Sequence, residues 1–228
     1  MVLLADNDIV LKLAAFGLLE ETIKVLSGEE VFVLDTARHR LRKPGRQTRK
    51  TYSPAVIAAA LEWTEAATPL TEAAESDVVD ALVGAEYEDD DGAICRIDAG
   101  ELILFSHAFH HPLSHILTGD KKSLMALGHH RHLHPGAMEV HKALRRRVLC
   151  LEAAIYLQIS ALGFDRVCDQ VAPARSCDKS MQVVFGAGTK TQEANAFESL
   201  NSYLAHLEQH TGENWLWRPE RGKISQRK

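Results

Sequence analysis

Four acidic residues, Asp6, Asp98, Glu101 and Asp120, stand where chemistry could be done. Asp6 closes the apolar run Val2 to Ala5, and Asp120 follows His115 to Thr118 with its apolar core Ile116-Leu117. Asp98 and Glu101 lie at capping-box spacing ahead of the apolar helical stretch Leu102 to Phe109. In open parallel sheets ligands bind beyond the carboxyl ends of the strands. Two acids three apart at a helix start can both face that edge. Carboxylates gathered there repel one another unless cations neutralise them, and hard oxygen ligands suit Mg²⁺ or Mn²⁺. Each acid also has a plainer role open to it. Asp6 can simply end a strand, Asp98 can cap a helix with Glu101 as its box partner, and Asp120 can be a turn residue after Gly119. Their joint placement after successive strands favours a shared metal site, with Asp35, at the end of Val31 to Leu34, as a possible additional acid.

The elements that must position these residues read as alternating strands and helices. Val2 to Ala5 is a strand, and Ile9 to Leu19 repeat apolar residues at helical spacing. A helical stretch Ile23 to Leu26 closes at the turn-like Ser27-Gly28, and Val31 to Leu34 are strand-favouring. The basic stretch Arg38 to Lys50, broken by Pro44-Gly45, predicts an exposed loop, or a short helix and then a loop. Ser53-Pro54 is a hydroxyl N-cap with proline in the first turn, ahead of a helix over Ala55 to Ala67. Further helices are expected over Leu70 to Val83 and Lys121 to Leu127, with an acidic turn at Glu86 to Gly92. Val148-Leu149 is a fourth strand, and Leu151 to Leu162 a helix stopped by Gly163. Strands separated by helices imply parallel crossovers, so the expected fold is a three-layer α/β/α domain with a mostly parallel central sheet over residues 1–162. Residues 163–228, with one clear helix from Gln192 to Gln209, are expected to form a helical C-terminal extension packing on that core.

A chain of 228 residues suits one main domain, and 46% hydrophobic with 25% charged residues is an ordinary globular composition. No apolar run is long enough to span a bilayer, so no membrane partner is expected. The apolar opening lacks a basic leader and is broken by Asp6, Asp8 and Lys12, which favours a buried strand and helix over a signal peptide. Cys95, Cys150, Cys168 and Cys177 form no CxxC pair, which predicts reduced thiols and a cytoplasmic location. The net charge of −5 excludes a uniformly basic surface but leaves room for local patches.

The runs Leu3-Leu4-Ala5-Asp6-Asn7-Asp8, Ile97-Asp98-Ala99-Gly100-Glu101 and Ile116-Leu117-Thr118-Gly119-Asp120-Lys121 resemble the acidic motifs of PIN-domain ribonucleases. Arg147-Val148-Leu149-Cys150-Leu151-Glu152 is similar to the last strand and following helix of that fold, so the resemblance covers about residues 1–162. It implies a metal-dependent endoribonuclease, with Asp6, Asp98 and Asp120 facing the metal and Glu101 as an additional catalytic acid. RNA is the implied substrate, a toxin or defence setting the implied context, and a homodimer or a protein inhibitor or antitoxin an implied partner. The family usually carries another acid after its second strand, whereas Thr36 to Lys50 contains none and only Asp35 is near.

Arg38, Arg40, Arg42 and Lys43, with Arg46, Arg49 and Lys50, form the most basic stretch and could contact phosphates without reading sequence. A solvated basic loop is the plainer alternative. Lys121 and Lys122, beside Asp120, are expected to touch a bound backbone, and Arg145 to Arg147 to touch either a backbone or the acidic turn around Asp89 to Asp91. His107 and His111 have the i, i+4 spacing of a zinc grip, but a site needs further ligands and a neighbouring acid or thiol, and solvated histidines are common in a His-rich chain. Phe185 to Thr191 lacks the spacing of a phosphate loop and reads as a turn. The absent fourth acid motivates a second reading, a catalytically silent module binding RNA or protein. A phosphatase or DNA flap-type nuclease on the same sheet edge is the third.

Overall fold

The computed structural model describes residues 2–26, 30–89 and 92–218. Its strands are β1 (Val2–Ala5), β2 (Glu30–Leu34), β3 (Thr68–Leu70), β4 (Glu86–Glu88), β5 (Ile94–Arg96), β6 (Ser114–Thr118) and β7 (Val148–Cys150). The first half carries helices α1 (Asn7–Ala15), α2 (Leu19–Val25), α3 (Asp35–Arg42), α4 (Arg46–Thr51), α5 (Pro54–Ala66), α6 (Ser76–Leu82) and α7 (Ala99–His110). The second carries α8 (Lys121–His130), α9 (Pro135–Ala143), α10 (Leu151–Leu162), α11 (Phe164–Ala174), α12 (Lys179–Val184) and α13 (Glu193–Thr211).

Five strands make one sheet in the order β3-β2-β1-β6-β7, every neighbouring pair parallel, and β4 and β5 form a separate antiparallel pair. Successive strand residues point to opposite faces, and the core divides accordingly. Leu3, Ala5, Val33, Leu117 and Leu149 enter one buried cluster. Leu4, Leu34, Ile116, Val148 and Cys150 enter the other. Both faces are apolar, so both require helices, which gives the three-layer α/β/α arrangement. On the first face lie side chains of α1, α10 and α11, including Ile9, Leu13, Ile155 and Val171. On the second lie those of α6 to α9, including Leu82, Phe105, Leu124 and Val140.

The segment after Leu162 is woven into this core. Val167, Met181, Phe185 and Leu200 join the first cluster, while Leu204, Leu207, Trp215 and Leu216 join the second. Helix α13 therefore passes along the edge of both layers.

Several elements differ from the sequence expectation. The helix expected over Leu70 to Val83 is α6 alone, preceded by β3, a three-residue edge strand whose Pro69 is tolerated because an edge position need not donate on both sides. The run Ile9 to Leu19 divides at Gly17, which adopts φ +65°. The basic stretch folds into α3 and α4, and Glu86 to Glu88, expected in an acidic turn, form strand β4. Helices α9, α11 and α12 were not anticipated in the histidine-rich and C-terminal segments. The Ser27-Gly28 turn and Asp90-Asp91 lie outside the described residues. All four cysteines are free thiols, and among the described residues no helix is long and apolar enough to cross a membrane.

Candidate acidic site

At the carboxyl edge of β1, β2 and β6, a cavity of ≈ 360 Å³ is lined by Asp6, Asp8, Asp98, Glu101 and Asp120, together with Asn7, Thr36 and Arg40. The four acids picked out by their spacing thus share one pocket. Each of Asp6, Asp98 and Asp120 is also a helix N-cap, the plainer role expected of Asp98 alone. Asp6 caps α1 through the Ile9 N–H (2.6 Å to Oδ1), and its Oδ2 accepts from the Gly119 N–H (2.8 Å) and the Thr118 hydroxyl. That ties β1 to the end of β6. Asp98 caps α7, with the N–H groups of Gly100 and Glu101 donating to Oδ1 (2.7 and 3.1 Å). Asp120 caps α8, with Lys122 and Ser123 N–H donating to Oδ1 (2.9 and 3.2 Å). The capping N–H groups of Asp98 and of Asp120 all donate to Oδ1, and Asp98 also shares a hydrogen bond with the Glu101 carboxyl.

The electrostatics are those of crowded, half-dry carboxylates. Burial pushes Asp6 up to about 6, with nearby Asp8 adding to the effect. Asp120 is raised by burial and then by Asp8 and Asp98. Glu101 is raised by burial and by the hydrogen bond and charge of Asp98, while that same bond, more than the nearby Arg40, holds Asp98 down. Asp98 and Glu101 thus titrate as one coupled pair. Glu101 Oε2 and Asn7 Oδ1 are buried without a hydrogen-bond partner. Two orphaned oxygens in an acidic pocket are suited to a hard cation. No three pocket carboxylates bring ligand atoms within 4.8 Å of one another, since among the described residues only Glu72, His107 and His111 do so.

Asp8 was not singled out as a site residue, although it stands two positions from Asp6. Its Oδ2 meets Lys12 Nζ at 2.5 Å, and the same ammonium meets Asp178 Oδ2 at 2.9 Å. The i, i+4 spacing of Asp8 and Lys12 was a readable signal. Asp178, 166 positions from Lys12, left none. Gly119 is required by the close approach of Asp8, because a Cβ there would lie 2.5 Å from Asp8 Oδ2.

The remaining assigned residues separate into two groups. Asp35 is exposed in the first turn of α3 and does not line the pocket, and Thr36 and Arg40 of the same helix form that wall. Arg40, Lys43 and Lys122 are exposed. Arg38 donates to the carbonyls of Thr64 and Ala67, and Arg42 pairs with Glu65 at 2.6 Å. Lys121 turns inward to buried Glu152 (2.6 Å) and Ser180 (3.3 Å). Arg38, Arg42 and Lys121 are thus each engaged in contacts within the fold. Arg147 spans the carbonyls of Ala108, His111, Ser114 and Ala143, and Arg145 donates to those of Glu213 and Asn214. No family model, curated protein or solved structure matches the chain.

Proposed function

We propose that this protein is a metal-dependent nuclease that hydrolyses RNA phosphodiester bonds at the acidic pocket, with Asp6, Asp98, Glu101 and Asp120 as its working residues. The observation that carries the reading is the convergence of these acids, with the orphaned oxygens of Asn7 and Glu101, on one cavity at the sheet edge. The sequence resemblance to PIN-domain ribonucleases supports the same chemistry. Asp98, Asp120 and Asp6 would hold Mg²⁺ or Mn²⁺, which supplies water activation at neutral pH and charge neutralisation of a phosphate. Glu101, whose carboxyl is raised by burial and by Asp98, would be the additional acid beside them. Arg40, which lines the pocket, and exposed Lys122, two positions after Asp120 in sequence, would offer positive charge to the nucleic-acid backbone. A toxin or defence context and an inhibitor protein belong to this proposal through the resemblance alone.

The test is cleavage of labelled single-stranded RNA by the purified chain in Mg²⁺ or Mn²⁺. EDTA is expected to abolish it, and Asp120→Asn to reduce it by at least about 100-fold, as losing one charge-stabilising group in an active site commonly does. Wild-type turnover by Asp120→Asn would refute the assignment. Arg40 standing where a further acid would be expected favours one second reading, a silent RNA-binding module. That reading predicts RNA binding weakened by Arg40→Ala with no metal-dependent turnover. Single-stranded DNA, flapped DNA and a small phosphate ester assayed in parallel rank the remaining substrates.

A further inference from the structure

At the far end of α7 from Asp98, about 14 Å along the helix at 1.5 Å per residue, lies a second cluster of a different chemical kind. His107 in the last turn of α7 and His111 at its C-cap stack their rings with centroids 4.2 Å apart. Glu72, from the segment joining β3 to α6, places Oε2 2.8 Å from His107 Nδ1. One ligand atom from each of the three side chains lies within 4.8 Å of the others. The sequence showed only the histidine pair, and the fold adds the acid that the pair lacked.

We propose that Glu72, His107 and His111 bind a late first-row divalent cation, zinc foremost, at a site separate from the acidic pocket. Two imidazoles and one carboxylate are a three-ligand zinc set, with the fourth position left to water or an incoming group. Borderline nitrogen donors select zinc, copper or nickel over the magnesium that suits an all-oxygen pocket. The site is also held in place before any metal arrives. The His107 side chain is only 10% exposed and packs against the Phe32 ring, 5.8 Å between centroids. The Glu75 N–H donates to buried Ser106 Oγ at 2.8 Å, which pins the segment carrying Glu72 against α7. Glu72 and His111 are exposed and so are reachable from solvent and free to adjust. Tetrahedral bonds of 2.0 to 2.1 Å require ligand atoms about 3.3 Å apart, so small side-chain rotations close the set around an ion. His110 faces a different side, where Nε2 lies 3.2 Å from Asp77 Oδ1, and it is not a member.

The experiment is a zinc titration of the full chain, stripped with EDTA and dialysed, against a chromogenic chelator. One zinc equivalent is expected to compete with the chelator and to persist in excess Mg²⁺. His111→Ala and Glu72→Ala, both at exposed positions that the fold tolerates, are each expected to weaken it more than about tenfold, since losing even a group behind a ligand costs that much. His129→Ala with His130→Ala, and Asp120→Asn, are expected to leave it unchanged. Cobalt(II) gives a second readout, with visible absorption characteristic of a low-coordinate site in wild type and in Asp120→Asn but not in His111→Ala. Absence of zinc binding in the wild type, or wild-type affinity in His111→Ala and Glu72→Ala, overturns the proposal and leaves a simple histidine–carboxylate hydrogen bond. Because Asp120→Asn leaves this site intact, its failure and that of the nuclease reading are distinguishable.

Discussion

Replacing Lys121 with methionine tests most sharply whether this residue serves the fold or a bound phosphate. Its ammonium lies 2.6 Å from Glu152 Oε1, and the Glu152 side chain is 1% exposed. Removing the lysine leaves a buried carboxylate whose Oε2 already has no hydrogen-bond partner. Breaking a buried pair by deleting one member costs about 3–5 kcal/mol. Lys121 itself is 31% exposed, and water reaching its end of the pair brings the expected cost to about 3 kcal/mol. For a chain of this size that corresponds to a melting temperature lower by roughly 6–12 °C. The double variant Lys121→Met/Glu152→Gln removes the stranded charge and should recover most of the loss. Urea unfolding followed by circular dichroism measures all three proteins. A Lys121→Met variant as stable as wild type, with RNA binding selectively reduced, would show that Lys121 contacts substrate and that the reasoning is wrong.

Asp6→Asn should both inactivate and destabilise, by about 1–3 kcal/mol, because its two oxygens accept from three donors and an amide nitrogen must face one of them. Asp120→Asn should inactivate with under about 0.5 kcal/mol change, since asparagine caps a helix as well as aspartate; thermal melts beside cleavage assays separate the two. Gly119→Ala should cost about 1–3 kcal/mol and weaken Mn²⁺ binding, read by calorimetry, because its Cβ would lie 2.5 Å from Asp8 Oδ2. His141, stacked on Trp215 and 2.6 Å from the Thr211 carbonyl, is pushed by burial from 6.5 to about 4. The unfolded chain therefore binds the extra proton first, so this contribution is complete above pH 6.5, falls as pH drops toward 4, and is lost below. The full shift would be about 3 kcal/mol, and about 2 kcal/mol after solvent screening. Denaturation midpoints at pH 7.5 and 4.5 should show that extra loss in wild type and not in His141→Gln.

The strands carrying the acids were legible because each is a short apolar run with a carboxylate at its end, and helices α7 and α10 because their apolar runs are bounded by Asp98 and Gly163. The elements that escaped are those whose stability is tertiary. β3 has three residues and a proline, and it exists because β2 pairs with it. α11 and α12 bury Val167, Val171 and Met181 against residues far away in sequence. At the site, positions relative to strands were readable, but side-chain commitments were not. Lys121 and Lys122 are adjacent and chemically alike, yet one is drawn to Glu152 across the fold while the other faces solvent. The same limit hid Glu72, which reaches His107 only because the segment after β3 returns along α7.

The acidic pocket also shows how a fold tolerates carboxylates at close quarters before any cation is bound. Asp6, Asp98 and Asp120 are the N-caps of α1, α7 and α8, so three helix N-termini point into one cavity. Each terminus carries roughly half a positive charge, concentrated on N–H groups that these carboxylates accept. The backbone thereby offsets part of the repulsion, Lys12 offsets the charge of Asp8, and the hydrogen bond between Asp98 and Glu101 eases the contact of those two carboxyls. What remains is a pocket whose walls hold partly compensated anions. A phosphodiester entering it meets net negative charge unless a divalent cation is present, which is why metal dependence, more than any single side chain, is the property on which the nuclease reading stands.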